Sequence, residues 1–205
     1  MIDIRIGGPI RRQNQPNEAG DLQEEEDDPD DDAACPEYLP RTKKPASLMF
    51  LGVIASTGEV CPPIWFPEGF RLSSADYIQV LRIKVVPWIR RIASNHARPF
   101  CFQQDGAPAH TAKATISYLK EEGITFWGPS MWPPCSPDVN PLDYAVWSYV
   151  QQMACKTRPT SLQAMRKQVS TAWNRIPPEK ILRFCVRYRA RLNRVVAAKG
   201  GIMED

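Results

Sequence analysis

The sequence predicts an α/β protein: a mixed sheet flanked by helices, with the C-terminal helices packed on one face. Three observations predict it. Apolar runs of strand length stand at 48–55, 60–66 and 99–104. Between and after them, apolar residues recur at helical spacing: Tyr77, Leu81, Val85, Trp88 and Ile92, then Leu142, Ala145, Val146, Tyr149, Val150 and Met153, then Ile181, Cys185, Tyr188, Leu192 and Val195. A length of 205 residues, 43% of them hydrophobic, gives room for one ordinary domain with a real core.

In chain order, residues 1–12 read as a strand already in progress, a remnant of a first-strand region. Residues 13–47 are polar, acidic and punctuated by proline, which marks a flexible loop or insertion. Residues 48–198 read as the folded core and 199–205 as a tail. Leu48–Ala55 is a continuous apolar strand, Ser56–Glu59 a turn, and Val60–Phe66 the returning strand, at an edge because of Pro62 and Pro63. Ser73 or Ser74 caps the next helix, and Pro87 is placed to kink it. A strand over 99–104 stops at Gln103-Gln104-Asp105, where Gly106 and Pro108 break it. A helix over about 111–122 ends at Gly123, and Ile124–Trp127 is a further short strand. A proline-rich loop over 128–141 leads into a helix that Asn140 caps, with Pro141 at its first position and Asp143 in its first turn. Ser161 caps a helix running to about Arg175, and Pro177-Pro178 open the last one. No internal repeat is present.

The net charge of +3 conceals an asymmetry. Residues 18–32 hold ten acids and no base, while 33–205 carry 23 bases against 12 acids. A body this basic attracts a polyanion, and the acidic run is either simply solvated or an imitation of nucleic acid that shields the body. The last helix carries Arg183, Arg187, Arg191 and Arg194, which are candidate phosphate contacts. Six scattered cysteines without a Cys-x-x-Cys pair read as reduced thiols, mostly core, in a cytosolic or nuclear protein. Their spacing with His96 and His110 fits no zinc pattern. There is no signal peptide and no apolar run long enough to span a membrane.

Two stretches carry the chemistry. Gln104-Asp-Gly-Ala-Pro-Ala-His110 places an aspartate at the C-terminal mouth of a strand, the usual ligand crevice of an α/β sheet. Ser136-Pro-Asp-Val-Asn-Pro-Leu-Asp143 places a second at a helix start. Two carboxylates so placed converge on a divalent cation, because hard cations prefer carboxylate oxygens.

These two motifs, followed by Trp147, resemble the catalytic core of mariner-type transposases, which are DDE/D recombinases with a ribonuclease H-like fold. The similarity continues through the Leu48–Gly58 hairpin, Asp76-Tyr77 and the arginine-rich last helix, so it covers about residues 45–198. The 37 residues between Asp105 and Asp143 suit the family's pattern. The resemblance implies that Asp105 is the second catalytic acid and Asp143 the third, with His110 and Asn140 supporting them by orienting the acids or phosphate. It implies Mg²⁺ or Mn²⁺ in a two-metal site, DNA as partner, a homodimer, work in the nucleus, and neither a membrane nor a small-molecule substrate. The implied reaction is phosphodiester cleavage followed by strand transfer.

The chain departs from that pattern at its start. No Ser-Asp-Glu-Lys-like sequence precedes Leu48, and Pro9–Asn14 resembles a segment lying just after the first strand. By that register the first catalytic aspartate belongs upstream of Met1, the first strand is incomplete or missing, and Asp3 sits too late to replace it. The helix-turn-helix region that precedes the family's core is absent. The expectation is therefore an N-terminally truncated transposase domain, impaired as a nuclease. The alternative is a domesticated, non-catalytic protein that binds nucleic acid or acts as a scaffold.

Overall fold

The computed structural model describes residues 2–7, 10–11, 47–131, 139–157 and 159–197; up to Ser47 it describes backbone only. The acidic stretch 18–32, Trp132, Asp138, Cys35 and Cys135 lie outside the described residues.

Five strands come first in the chain: β1 (Ile2–Gly7), β2 (Ile10–Arg11), β3 (Ser47–Leu48), β4 (Phe50–Ala55) and β5 (Ile64–Trp65). A helix follows in three parts: α1 (Ser74–Val80), a π-helical turn (Leu81–Val85) and α2 (Val86–His96). Then come β6 (Phe100–Gln103), α3 (Pro108–Thr111) and α4 (Lys113–Glu121). A second π-helical turn (Leu142–Val146) opens α5 (Trp147–Ala154), and α6 (Leu162–Asn174) and α7 (Pro178–Ala197) complete the described chain.

The main sheet has the order β5-β4-β1-β6. β4 is antiparallel to β1, and β1 is parallel to β6. Ile2–Gly7, expected as a strand already in progress, thus lies inside the sheet between β4 and β6. The strand expected at 124–127 is a single bridge, Phe102 to Phe126, fixed by Phe102 N–H to Thr125 C=O at 2.8 Å and Trp127 N–H to Phe102 C=O at 3.0 Å. Gly128 and Pro129 follow at once and extend it no further.

β4 is buried at all six positions because both of its faces are covered. Leu51, Val53 and Ala55 join Tyr77, Leu81, Val85, Ile89, Phe102 and Leu119 in one core. Phe50 and Ile54 join Leu142, Val146, Val150, Val169, Trp173 and Ile181 in the other, so the C-terminal helices do pack on one face. Alternation along one strand therefore feeds two layers. Gly52 lies on the second face, where the rings of Trp147 and Trp173 stack with centroids 5.5 Å apart. A Cβ there would come within 2.6 Å of Trp147 Cη2 and 2.5 Å of Trp173 Cη2, so only glycine admits both rings.

Ser73 caps α1 in a capping box: its Oγ accepts the Asp76 N–H at 3.2 Å, and Asp76 Oδ2 accepts the Ser73 N–H at 3.2 Å. Pro87 does not break the helix. With no N–H to give to Ile83, it is accommodated by the π-helical turn just before it, where the Val86 N–H reaches back to the Leu81 carbonyl. The helix expected over 111–122 is two helices, because Ala112 is extended at ψ 139°. The Ala109 carbonyl, freed by that break, is taken up by a side chain, Thr115 Oγ1 donating to it at 2.7 Å.

Candidate catalytic acids and their supports

Asp105 follows β6 by two residues, where the strand ends and the chain turns into α3. Asp143 lies in the π-helical turn that opens α5. That turn is seated by Asn140, which is buried: its Oδ1 accepts the Leu142 N–H at 3.2 Å, and its carbonyl accepts the Asp143 N–H at 2.9 Å and the Tyr144 N–H at 3.0 Å. Strand end and helix start bring the two carboxyls together across 37 residues of sequence, near enough for the charge on Asp105 to act on Asp143.

Their electrostatics differ. Burial alone would raise Asp105. The His110 hydrogen bond and charge and the Ala107 N–H outweigh burial and hold its carboxyl below the usual aspartate range. His110 Nδ1 lies 2.5 Å from Asp105 Oδ1, and the Ala107 N–H donates to the same oxygen at 3.0 Å. Both contacts fall on Oδ1, so among the described residues Oδ2 is left for a ligand. Asp143 goes the other way: burial and then the charge of Asp105 push it up to about 6. Asn140 and the Trp147 indole stand near this carboxyl and oppose the rise. Neither Asn140 Nδ2 nor Trp147 Nε1 has a partner at full hydrogen-bond geometry among the described residues, so two buried donors wait beside one acid. Trp147 is held by packing: Phe50 meets it edge-on at 5.2 Å and Trp173 stacks on it at 5.5 Å.

His110 is itself supported. Its ring packs against Tyr77 with centroids 4.2 Å apart, and its carbonyl accepts the Gln104 amide at 2.7 Å. Gln104 Oε1 in turn accepts the Tyr77 hydroxyl at 2.9 Å. The sequence set Tyr77 on the apolar stripe and within the family resemblance, and Gln104 at the head of the first motif, but gave neither side chain a polar role. The partners lie 27 residues apart, and no local pattern joins them.

Beside Asp105 a cleft of about 250 Å³ opens, lined by Gln104, Gly106, Thr111, Trp127, Gly128 and Pro129. Among the described residues no group of three or more His, Cys, Asp or Glu side chains could hold a metal ion. The donor set that does exist is two carboxylates, one with a free oxygen, whose mutual repulsion a cation would relieve. That fits a single hard divalent ion completed by water and phosphate oxygens; a second ion would need a further acid.

The backbone of β1 bears on that third acid. Asp3 pairs with Cys101, four residues before Asp105, which puts it about 13 Å lower along the sheet. Continued upward, the register brings Gly7 level with Asp105. The expected place of an acid upstream of Met1 lies outside the described residues.

The four arginines stand apart from these acids in role. Arg183, Arg187 and Arg194 are exposed on α7, at spacings of four and seven residues that keep them on one face. Arg191 is half-buried, with its guanidinium 4.4 Å from the centre of the Tyr144 ring.

Sheet order and paired cores define a ribonuclease H-like fold. Among solved structures the chain is similar to the Mos1 mariner transposase catalytic domain, with a TM-score of 0.66 at 22% identity over 77% of this chain and 76% of that one. It is also similar to the Mos1 mariner paired end complex with Mn, with a TM-score of 0.77 at 18% identity over 98% of this chain and 56% of that one. A pre-cleavage Mos1 transpososome gives a TM-score of 0.72 at 17% identity, over 99% of this chain and 56% of that one. The chain thus spans a little over half the length of the transposase in those complexes. At these identities the likeness shows the fold, and it is the mariner transposase fold that the two motifs resemble. No protein-family model matches the chain, and no curated protein matches it. Among the described residues no helix is long and apolar enough to cross a membrane.

Proposed function

We propose that this chain is the catalytic domain of a mariner-type DNA transposase with an incomplete acidic set. The observation that carries the reading is the convergence of Asp105 and Asp143, within charge reach of each other, on a fold shared with the Mos1 catalytic domain. Asp105 and Asp143 would hold Mg²⁺ or Mn²⁺. The ion supplies Lewis-acid polarisation of a backbone phosphate and activation of the attacking oxygen. His110 fixes which oxygen of Asp105 faces the ligand. Asn140 seats the turn that presents Asp143. Arg183, Arg187 and Arg194 offer an exposed cationic face to the phosphates of DNA. Work on chromosomal DNA would place the protein in the nucleus, and pairing two transposon ends would call for a homodimer, since Mos1 structures are of paired-end complexes.

One observation favours a second reading. The level of β1 beside Asp105 is Gly7, and Asp3 is about 13 Å away along the strand. With two acids the chain would bind DNA and one ion without cutting efficiently, as a non-catalytic binding or scaffold protein would.

Anisotropy of a labelled DNA duplex tests the proposal. Binding should weaken log-linearly with salt, and Mn²⁺ should tighten it in the native chain but not in Asp105→Asn or Asp143→Asn. Absence of DNA binding at low salt would remove the transposase reading. Binding that Mn²⁺ leaves unchanged, with no strand cleavage, would support the scaffold reading instead.

A further inference from the structure

We propose that Tyr77 is a positioning residue for Asp105, acting through Gln104 and His110. The inference rests on the reading of Asp105 as a metal-ligating acid, and it concerns how that acid is aimed.

Tyr77 reaches His110 by two routes. Its ring lies against the imidazole at 4.2 Å. Its hydroxyl donates to Gln104 Oε1 at 2.9 Å, which fixes the amide so that Nε2 faces the His110 carbonyl at 2.7 Å. A reversed amide would set its oxygen against the His110 carbonyl, so that carbonyl fixes the orientation, and the Tyr77 hydroxyl then holds the amide in place by donating to its oxygen. The His110 N–H is held as well, by the Ala107 carbonyl at 2.9 Å. Backbone and ring of His110 are therefore pinned on three sides, and the remaining direction is Asp105, at 2.5 Å from Nδ1. While the ring is held in this orientation, an ionised carboxylate favours the proton on Nδ1 over Nε2. Tyr77, Gln104 and His110 are all at least 95% buried, so no water competes for these bonds. A tyrosine used only to fill the core would not need its hydroxyl; here the hydroxyl starts the chain that ends at the acid. Supports of this kind orient ligating groups around metals generally.

The chain has two histidines, His96 and His110, so long-range ¹H–¹⁵N spectra resolve both rings. In the native protein at neutral pH His110 should show the Nδ1-protonated form. Tyr77→Phe keeps the ring and removes the hydroxyl; it should give a tautomer mixture at His110, a melting temperature lower by less than ~10 °C, and Mn²⁺ affinity, read by electron paramagnetic resonance, about tenfold weaker. Gln104→Met, which breaks the same chain at its middle, should give the same signature. An Nδ1-protonated signal retained in both variants overturns the proposal, whatever the metal affinity. A native chain that shows the signature, loses it in the variants and binds no Mn²⁺ would leave Tyr77 as a positioning residue and overturn the metal reading instead.

Discussion

Asp143 stands within charge reach of Asp105, and the two carboxyls are held in opposite directions. Burial and then the charge of Asp105 take Asp143 up to about 6, while His110 keeps Asp105 low. Pairs pushed apart in this way mark functional sites more often than structural ones. The pair also has a simple chemical use, since a divalent cation would cancel the repulsion that raises Asp143.

A pH dependence of stability follows, with opposite signs for the two acids. A carboxyl raised from about 3.9 to about 6 is protonated in the folded state while ionised in the unfolded one, so its contribution is present at low pH and lost as pH rises from about 4 to 6. Full burial would make that loss about 3 kcal/mol; solvent reaching a half-buried carboxyl reduces it to ~1–2 kcal/mol. Asp105, held low, contributes above the ordinary aspartate range and loses that contribution as pH falls through its own lowered value. Urea denaturation with EDTA present should show Asp143→Asn flattening the decline between pH 4 and 6. An unchanged profile in that variant would refute the coupling.

Trp147 should matter to Asp143 through its N–H and to the fold through its ring. Trp147→Phe keeps the packing on Phe50 and Trp173 but removes one of two donors that oppose the rise of Asp143. Titration of the Asp143 carboxyl by ¹³C resonance should then give a value above the native one, with little change in melting temperature. A fall, or no movement, would show that the indole N–H does not act on this carboxyl.

Gly52 is a packing requirement. Gly52→Ala forces a methyl into the space of two stacked indoles at 2.5–2.6 Å, and the overpacking should cost about 1–3 kcal/mol in chemical denaturation. Stability equal to that of the native chain would mean that Trp147 and Trp173 shift freely.

Ser73 tests the capping box that starts the longest helical run around the Asp105 side of the sheet. Ser73→Ala removes the acceptor for the Asp76 N–H and should cost about 1 kcal/mol, seen as an earlier denaturation midpoint. Ser73→Asp, another good cap, should recover most of that loss.

Much of this was legible in the chain itself. Ser73 and Ser161 cap their helices, Gly123 ends α4 at φ 65°, and the periodic stripes fill the two cores for most of their length, although Met153 is exposed and Leu192 and Val195 join neither core. The places of Asp105 just past a strand end and of Asp143 at a helix start were readable, because an aspartate before glycine and an Asn-Pro helix start are local signals. What was hidden depends on tertiary contacts. At the break at Ala112 Thr115 takes up the freed Ala109 carbonyl, and no propensity of alanine announces that. The π-helical turns at Leu81 and Leu142 are answers to Pro87 and to the seat of Asn140. The register of β1 against β6, which sets Asp3 level with Cys101, belongs to pairing across some hundred residues. The service of Tyr77 and Gln104 to His110 was invisible for the same reason.

The central claim is that Asp105 and Asp143 together hold one divalent ion. Mn²⁺ titration followed by electron paramagnetic resonance at neutral pH measures it directly. The account predicts one bound ion per chain, lost in Asp105→Asn and equally in Asp143→Asn. Binding that survives in either variant, or a native chain that binds none, would contradict it.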